Sequence, residues 1–286
     1  MEASNNQKEK TMNTTNECHL FLQWALPRLG LRREGYRKVR RQVCRKIQNR
    51  IGELRLSGYA AYRDYLESHP NEWNTLDTFT RITISRFFRD NQSWQALAGE
   101  DLPLLARAAH NEQRILRCWS AGCASGEEAY SLALVWHHWV SERIPGQQIE
   151  IIATDIDEHM LQRATDACYP GGSIKELPES LLRQSFRKTE GMYCLDHSIC
   201  EMVSFLQQDI RRTMPDGPFD IIFCKNLVGM YFLRAKAVDL FKEITGRLNG
   251  GGILLTGNHE PVPIADLPDM TSYKPGLNIY RKRAGG

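Results

Sequence analysis

From Ile115 onward, short apolar runs alternate with stretches of helical spacing, and this alternation restricts the fold more than any other feature of the chain. Apolar runs at Ile115–Trp119, Ile149–Thr154, Met202–Leu206, Phe219–Cys224 and Gly252–Thr256 are interleaved with helical stretches at 127–142, 157–167 and 234–248. The runs are too short for buried helices, and near-continuous apolarity is what a strand covered on both faces requires. Strand and helix in turn predict an α/β fold with a doubly wound parallel sheet. The rhythm breaks at Gly191–Leu206, where Met192–Leu195 and Glu201–Leu206 predict a short β hairpin insertion, so a small β subdomain is expected near 187–206. Ile279–Arg281 predicts a last strand.

Upstream the pattern changes. Residues 1–17 are polar and rich in Asn, Thr and Lys, the composition of a disordered tail without the apolar centre of a secretory signal. Residues 18–90 read as a small helical N-terminal domain, with turn signals at Pro27, Gly30, Gly58 and Pro70. Residues 91–286 then form the larger domain. Val39, Val43, Ile47, Ile51 and Leu54 fall on one helical stripe, which puts Arg37, Lys38, Arg41 and Arg45 on the opposite face.

Charge is unevenly spread. The chain is +3 overall, yet residues 28–55 hold eleven Lys and Arg against Glu34 and Glu53, so the remainder is net acidic. Such asymmetry points to an acidic partner for the basic segment. Tyr36 is the lone aromatic interleaved with these cations, which argues against nucleic acid. No apolar stretch approaches the roughly 18–20 residues of a membrane span, so a cytoplasmic chain without membrane insertion is expected. The eight cysteines are scattered without a Cys-x-x-Cys pair, which predicts free thiols rather than disulfides or zinc. The adjacent His137 and His138 cannot converge on one metal and read as surface residues.

Open α/β sheets bind ligands beyond the carboxyl ends of their strands. The first such end is the run from Trp119 through Ser120, Ala121, Gly122, Cys123, Ala124, Ser125 and Gly126 to Glu127 and Glu128. A strand, a small-residue turn and a helix start let backbone approach a ligand closely. The turn has no P-loop lysine, and its acidic pair would repel phosphate. It favours a cationic ligand without phosphate, and S-adenosylmethionine, with its amine and sulfonium, fits. Further polar ends are Ala153-Thr154-Asp155, Gln208-Asp209 and Cys224-Lys225-Asn226.

Together with Ile84-Ser85-Arg86-Phe87-Phe88-Arg89-Asp90, Gly217-Pro218-Phe219-Asp220 and Tyr231-Phe232, these segments resemble the CheR-type family, S-adenosylmethionine-dependent methyltransferases of chemotaxis receptor glutamates. The motifs run in the family's order and cover most of residues 30–281. The resemblance implies a Rossmann-like methyltransferase sheet. It also implies that Glu127 or Glu128 holds the cofactor's amino group, Asp155 the ribose, and Asp209 with Ile210 the adenine side. Ser85, Ala121, Gly122, Lys225, Asn226 and Leu227 complete the cofactor site, with Asn226 at its floor. Arg89 is expected to order both cofactor and incoming carboxylate as a catalytic residue, with Tyr231 opposite.

The basic helix at Arg37, Lys38, Arg41 and Arg45 matches the family's docking helix for acidic helical segments of a chemoreceptor, met by a monomeric enzyme. Four departures stand out: Lys225 in place of the usual Arg, Ser85 in place of the frequent Thr, Gly257-Asn258-His259-Glu260 in place of Gly-His-Ser-Glu, and a shortened 187–200 region. The last implies a form that does not tether to a receptor's C-terminal peptide, or a substrate other than a chemoreceptor.

The implied reaction is O-methylation of protein glutamate side chains. Alternatives are another protein or a small-molecule carboxylate as acceptor, or a non-catalytic cofactor-sensing module. The broad cationic segment speaks against a small acceptor.

Overall fold

The computed structural model describes residues 16–284, and the chain divides into two compact units. One comprises the described residues up to Ile82 together with Met230–Lys236; the other comprises Thr83–Gly229 and Ala237 onward. The division falls at Ile82/Thr83 rather than at Asp90. The expected tail over residues 1–17 lies outside the described residues except for Asn16 and Glu17, which open the first helix.

The smaller unit is helical: 16–28, Arg40–Glu53, Tyr59–Ser68 and Glu72–Thr80. Its core is built from the apolar stripe of each helix, including Leu22, Val43, Ile47, Tyr62, Leu66 and Leu76. Phe21 stacks on Tyr62 at 5.6 Å between ring centroids. Glu72 is buried and takes both Arg50 Nε and Arg50 Nη2 at 2.9 Å, while Tyr62 Oη donates to the same carboxylate at 2.9 Å. That ion pair and its hydroxyl tie three helices together. Met230–Lys236 joins this unit by main-chain bonds: Arg32 N donates to Tyr231 O (2.8 Å) and Leu233 N to Gly30 O (2.9 Å). Gly35 permits the approach, since a Cβ there would lie 2.3 Å from Met230 O. Tyr231 itself packs on Tyr36, centroids 5.2 Å apart.

The basic helix begins later than its apolar stripe suggests. Val39 is the residue that precedes Arg40–Glu53, and Arg37 and Lys38 sit in the turn before it, after a short 3₁₀ segment at Arg33–Tyr36. Arg37, Lys38, Arg41 and Arg45 are nonetheless all exposed, and none has an ionic partner among the described residues.

The larger unit holds ten strands: β1 (Leu116–Ala121), β2 (Ile149–Asp155), β3 (Cys168–Tyr169), β4 (Phe186–Thr189), β5 (Met192–Leu195), β6 (Val203–Gln207), β7 (Phe219–Cys224), β8 (Leu248–Thr256), β9 (Met270–Lys274) and β10 (Ile279–Lys282). Seven form one sheet in the order β6-β2-β1-β7-β8-β10-β9. The first five are parallel, and β10 is antiparallel to both β8 and β9. Helices Glu127–Val135, Glu158–Asp166 and Arg234–Gly246 follow β1, β2 and β7. The chain winds outward from β1 to β6 and then returns to lay β7 against β1. The β1/β7 boundary is therefore the switch point, where a crevice opens beyond the carboxyl ends.

The insertion is a separate three-stranded sheet, β3-β5-β4. Its hairpin joins β4 to β5 through Glu190 and Gly191, whereas Val203–Gln207 extends the main sheet instead of pairing with Met192–Leu195. Four cysteines also depart from expectation. Cys18 is bonded to Cys44 and Cys168 to Cys194, each pair 26 residues apart, while Cys118, Cys123, Cys200 and Cys224 are free. Cys168 and Cys194 are register partners on neighbouring strands, a relationship invisible without the pairing. His138 is not a surface residue either. It is half-buried, its ring Nε2 lies 2.6 Å from Ser185 Oγ, and burial lowers its pKa.

Candidate active site

The turn after β1 is shaped by residues with positive φ: Gly122 (72°), Ala124 (47°) and Gly126 (86°). Gly122 N and Cys123 N both donate to Thr154 O, at 2.8 and 3.0 Å, which fastens the turn to the end of β2. A Cβ on Gly122 would come within 2.7 Å of Leu227 Cδ2, so the turn and the loop after β7 meet closely here, and the positive φ favours glycine.

The two acids that open the next helix diverge, as neighbours about 100° apart on a helix must. Glu127 turns inward, where its carboxylate accepts Ser125 Oγ (2.8 Å) and Ser173 Oγ (3.2 Å). Glu128 faces the strand ends. Its Oε1 accepts Ser120 Oγ at 2.9 Å, and its Oε2 lies 4.0 Å from Lys225 Nζ. Burial pushes the Glu128 carboxyl above its ordinary range, against the pull of Lys225 and the Ser120 hydroxyl. Lys225 is itself almost fully enclosed, and its ammonium also meets Asp90 Oδ2 (3.0 Å) and Arg89 O (3.1 Å).

Arg89 is carried between two residues of left-handed backbone, Phe88 (φ 52°) and Asp90 (φ 64°). Such conformations are costly for side chains with a Cβ and need support. Phe88 gets it from burial and from its N–H donating to Ser131 Oγ at 3.0 Å; Asp90 gets it from Lys225 and from Asn258 Nδ2 at 2.8 Å. Because Asp90 is engaged by Lys225, the Arg89 guanidinium pairs with no carboxylate among the described residues. Its one hydrogen bond runs from Nη1 to Ile84 O, at 3.3 Å, and its charge is felt at Glu128. Ser85 lies half-buried in the extended segment 81–86 just before it.

Asp155 ends β2 with its carboxylate fixed by backbone: Ala124 N donates to Oδ2 (2.8 Å) and Asp157 N to Oδ1 (2.9 Å). Each oxygen keeps a lone pair for a further donor, and burial pushes this carboxyl up. Beyond β6 the arrangement differs from simple expectation. Burial would raise Asp209, but two bonds from Arg211, through N and Nε at 2.9 Å, outweigh it and leave the carboxyl below its ordinary range. The neighbouring Gln208 instead has a buried Oε1 with no hydrogen-bond partner.

Lys225, Asn226 and Leu227 follow β7. Asn226 has φ 56°, and its side-chain amide lies over Gly257, where a Cβ would be 2.6 Å from Oδ1. The structure thus brings Ala121, Gly122, Glu128, Asp155, Asp209, Ile210, Lys225, Asn226 and Leu227 to one edge of the sheet, at adjacent strand ends. Tyr231 and the four docking cations belong to the helical unit. Asp90, Ser120 and Glu260 were missed by sequence reasoning, although Asp90 ends the quoted Phe-Phe-Arg-Asp motif and Glu260 ends one of the noted departures. No cluster among the described residues could hold a metal ion, and no helix there is long and apolar enough to cross a membrane.

Comparison with known proteins shows the family. The family described as "CheR methyltransferase, SAM binding domain" matches residues 83–274. The chain is 30% identical over 254 residues to chemotaxis protein methyltransferase 2 of Vibrio cholerae, covering 85% of both chains. It is 29% identical over 230 residues to the chemotaxis protein methyltransferase of Escherichia coli, covering 77% of this chain and 76% of that one. Against the Listeria innocua chemotaxis protein methyltransferase it is 27% identical over 234 residues, covering 82% and 86%.

Proposed function

Since the chain belongs to the CheR methyltransferase family and is an S-adenosylmethionine-dependent methyltransferase, we propose that its acceptors are glutamate side chains of a chemoreceptor-like signalling protein, which it converts to methyl esters. The observation that carries this reading is the pairing of two opposite groups at the switch point. Glu128 is a largely enclosed carboxylate suited to an ammonium, and Arg89 is a guanidinium that no carboxylate among the described residues has claimed.

The residues fit the cofactor. Glu128 receives the amino group of the methionine moiety, and the free lone pairs of Asp155 receive the ribose hydroxyls. The unpartnered Gln208 Oε1, with Asp209 and Ile210 beside it, faces the adenine edge. Ser85, Ala121, Gly122, Glu127, Lys225, Asn226 and Leu227 shape the walls, Glu127 by bracing the turn through Ser125 rather than by touching the ligand.

When bound, S-adenosylmethionine supplies a methyl group on a sulfonium centre. A glutamate carboxylate, with a pKa near 4.3, is already ionised at neutral pH, so no general base is required. The protein's task is to aim one carboxylate oxygen at the methyl carbon and exclude water. Arg89, with its planar fork, clamps the carboxylate. The oxygen forms the new C–O bond as the C–S electron pair passes to sulfur. One negative and one positive charge disappear together, leaving a methyl ester and S-adenosylhomocysteine.

Arg37, Lys38, Arg41 and Arg45 are exposed cations without ionic partners among the described residues, suited to acidic helical segments of the acceptor. In this reading the enzyme works as a cytoplasmic monomer. The test is incubation with radiolabelled S-adenosylmethionine and host lysate, followed by mild alkali. Label released from a protein band as volatile methanol supports the ester; alkali-stable label defeats it.

A further inference from the structure

We propose that Glu260 is a positioning residue for methyl transfer, acting through the loop Lys225–Gly229 to set the Asn226 side chain at the floor of the cofactor pocket. The inference rests on the reading of this loop as part of that pocket. Glu260 is 4% exposed, and its carboxylate accepts four backbone N–H groups. Asn226 N (2.5 Å) and Gly257 N (3.0 Å) donate to Oε2, and Leu227 N (3.0 Å) and Gly229 N (2.9 Å) to Oε1. Burial pushes this carboxyl up while the four donors pull it down.

Three of those donors come from one loop. The fourth comes from the end of β8, so the same carboxylate fixes two adjacent strand ends against each other. Two glycines clear the space. A Cβ at Gly229 would stand 2.2 Å from Pro261 O, and one at Gly257 would strike the Asn226 amide. Asn226 is held in left-handed backbone, φ 56°, by this arrangement. Glu260 touches neither the cofactor's expected place nor the acceptor; it holds the residue that does.

Glu260→Gln is the discriminating substitution, because it keeps the shape but turns an NH₂ toward two N–H donors. Binding of S-adenosylhomocysteine is measured by calorimetry for the wild type, Glu260→Gln, Asn226→Ala and the double variant. This readout does not involve an acceptor, so its failure is distinct from failure of the glutamate reading. We expect Glu260→Gln to weaken binding by about tenfold, and the double variant to bind no more weakly than Asn226→Ala alone. With a protein acceptor, KM for the acceptor should stay unchanged while KM for S-adenosylmethionine rises. Wild-type binding by Glu260→Gln, or losses that multiply in the double variant, would overturn the proposal. Should Glu260→Gln not fold, hydrogen exchange of the wild type decides: the amides of Asn226, Leu227, Gly229 and Gly257 must be protected without ligand, and free exchange there overturns it equally.

Discussion

Lys225 Nζ lies 3.0 Å from Asp90 Oδ2, and through this pair the loop after β7 grips the turn that presents Arg89. The same ammonium reaches toward Glu128, 4.0 Å away. One cation thus keeps two acids from repelling each other, and among the described residues Arg89 has no carboxylate of its own. A lysine suffices because the task is to supply a point charge between two carboxylates; no bidentate fork is needed there.

Ligand binding should depend on pH through Glu128. Burial raises its carboxyl above the ordinary 4.5, so its proton is lost at higher pH than in the unfolded chain. An ammonium-bearing ligand prefers the ionised form. Affinity for S-adenosylhomocysteine should therefore be full above the raised pKa and begin to fall before the pH descends to 4.5. Stability runs the other way for this group: its contribution is present below the unfolded pKa and lost as pH rises through the folded one. Calorimetry of Glu128→Gln should show about tenfold weaker binding at neutral pH and a flatter profile, leaving the dependence due to Asp155.

Asp155→Ala should abolish measurable S-adenosylhomocysteine binding, because it removes the ribose acceptor and also frees Ala124 N and Asp157 N. Asp155→Asn keeps the side chain's size and one acceptor, and should bind about ten- to a hundredfold more weakly than the wild type. Equal affinity in the Asn variant and wild type would remove Asp155 from the ribose site.

Reversing the charge at Arg41 and Arg45 together, each to Glu, should abolish methylation of an acidic protein acceptor while leaving cofactor affinity untouched. Both are exposed, so the fold should tolerate the change. Steady-state turnover and calorimetry on the same preparation give the two readings; surviving turnover would end the docking role.

In the helical unit, Glu72→Gln should destabilise by about 2 kcal/mol, since it exchanges the enclosed carboxylate that takes Arg50 Nε and Nη2 for a neutral amide and leaves the guanidinium to the exposed Glu53, 3.1 Å away. The Arg50 hydrogen bonds are the main reason that the Glu72 carboxyl sits below 4.5, with burial opposing and the Tyr62 hydroxyl assisting. The stability it contributes is present above the unfolded pKa and lost as pH falls through the lower folded one. Urea denaturation at neutral and acid pH should show the variant's deficit shrinking on acidification.

Thiol titration of the unfolded, unreduced protein should find four reactive cysteines, rising to eight after reduction. Reduction of the pair at Cys18 and Cys44, which closes a span of 26 residues, should cost about 3 kcal/mol.

Much of the candidate cofactor site is legible because its proposed parts sit at strand ends. An apolar run that stops at a polar residue marks such an end without any knowledge of tertiary contacts, and Asp155, Asp209 and Lys225 were all found that way. Adjacent positions on one helix were harder. Glu127 and Glu128 look alike in sequence, and only the serines around each show which one faces inward. Glu260 was unreadable for a different reason: three of its four partners lie about thirty residues upstream, and all four are main-chain groups, which leave no trace in side-chain pattern. The cysteine pairs share this property, being joined by strand register and helix packing. The basic helix was read too long at its start because a 3₁₀ segment and a turn preserve helical spacing of side chains without the helix itself.

The last piece of the helical unit, Met230–Lys236, is made long after the rest of it. During synthesis the residues up to Ile82 leave the ribosome first, and Gly30, Arg32 and Gly35 then wait while almost the whole parallel sheet is translated. At ordinary elongation rates that delay is on the order of ten seconds. Through that interval the nascent chain carries an open seam along residues 30–36, and the two units cannot be completed one after the other. A chain cut at Ile82 would therefore yield one fragment that lacks Met230–Lys236 and a second that carries this segment without the unit it completes.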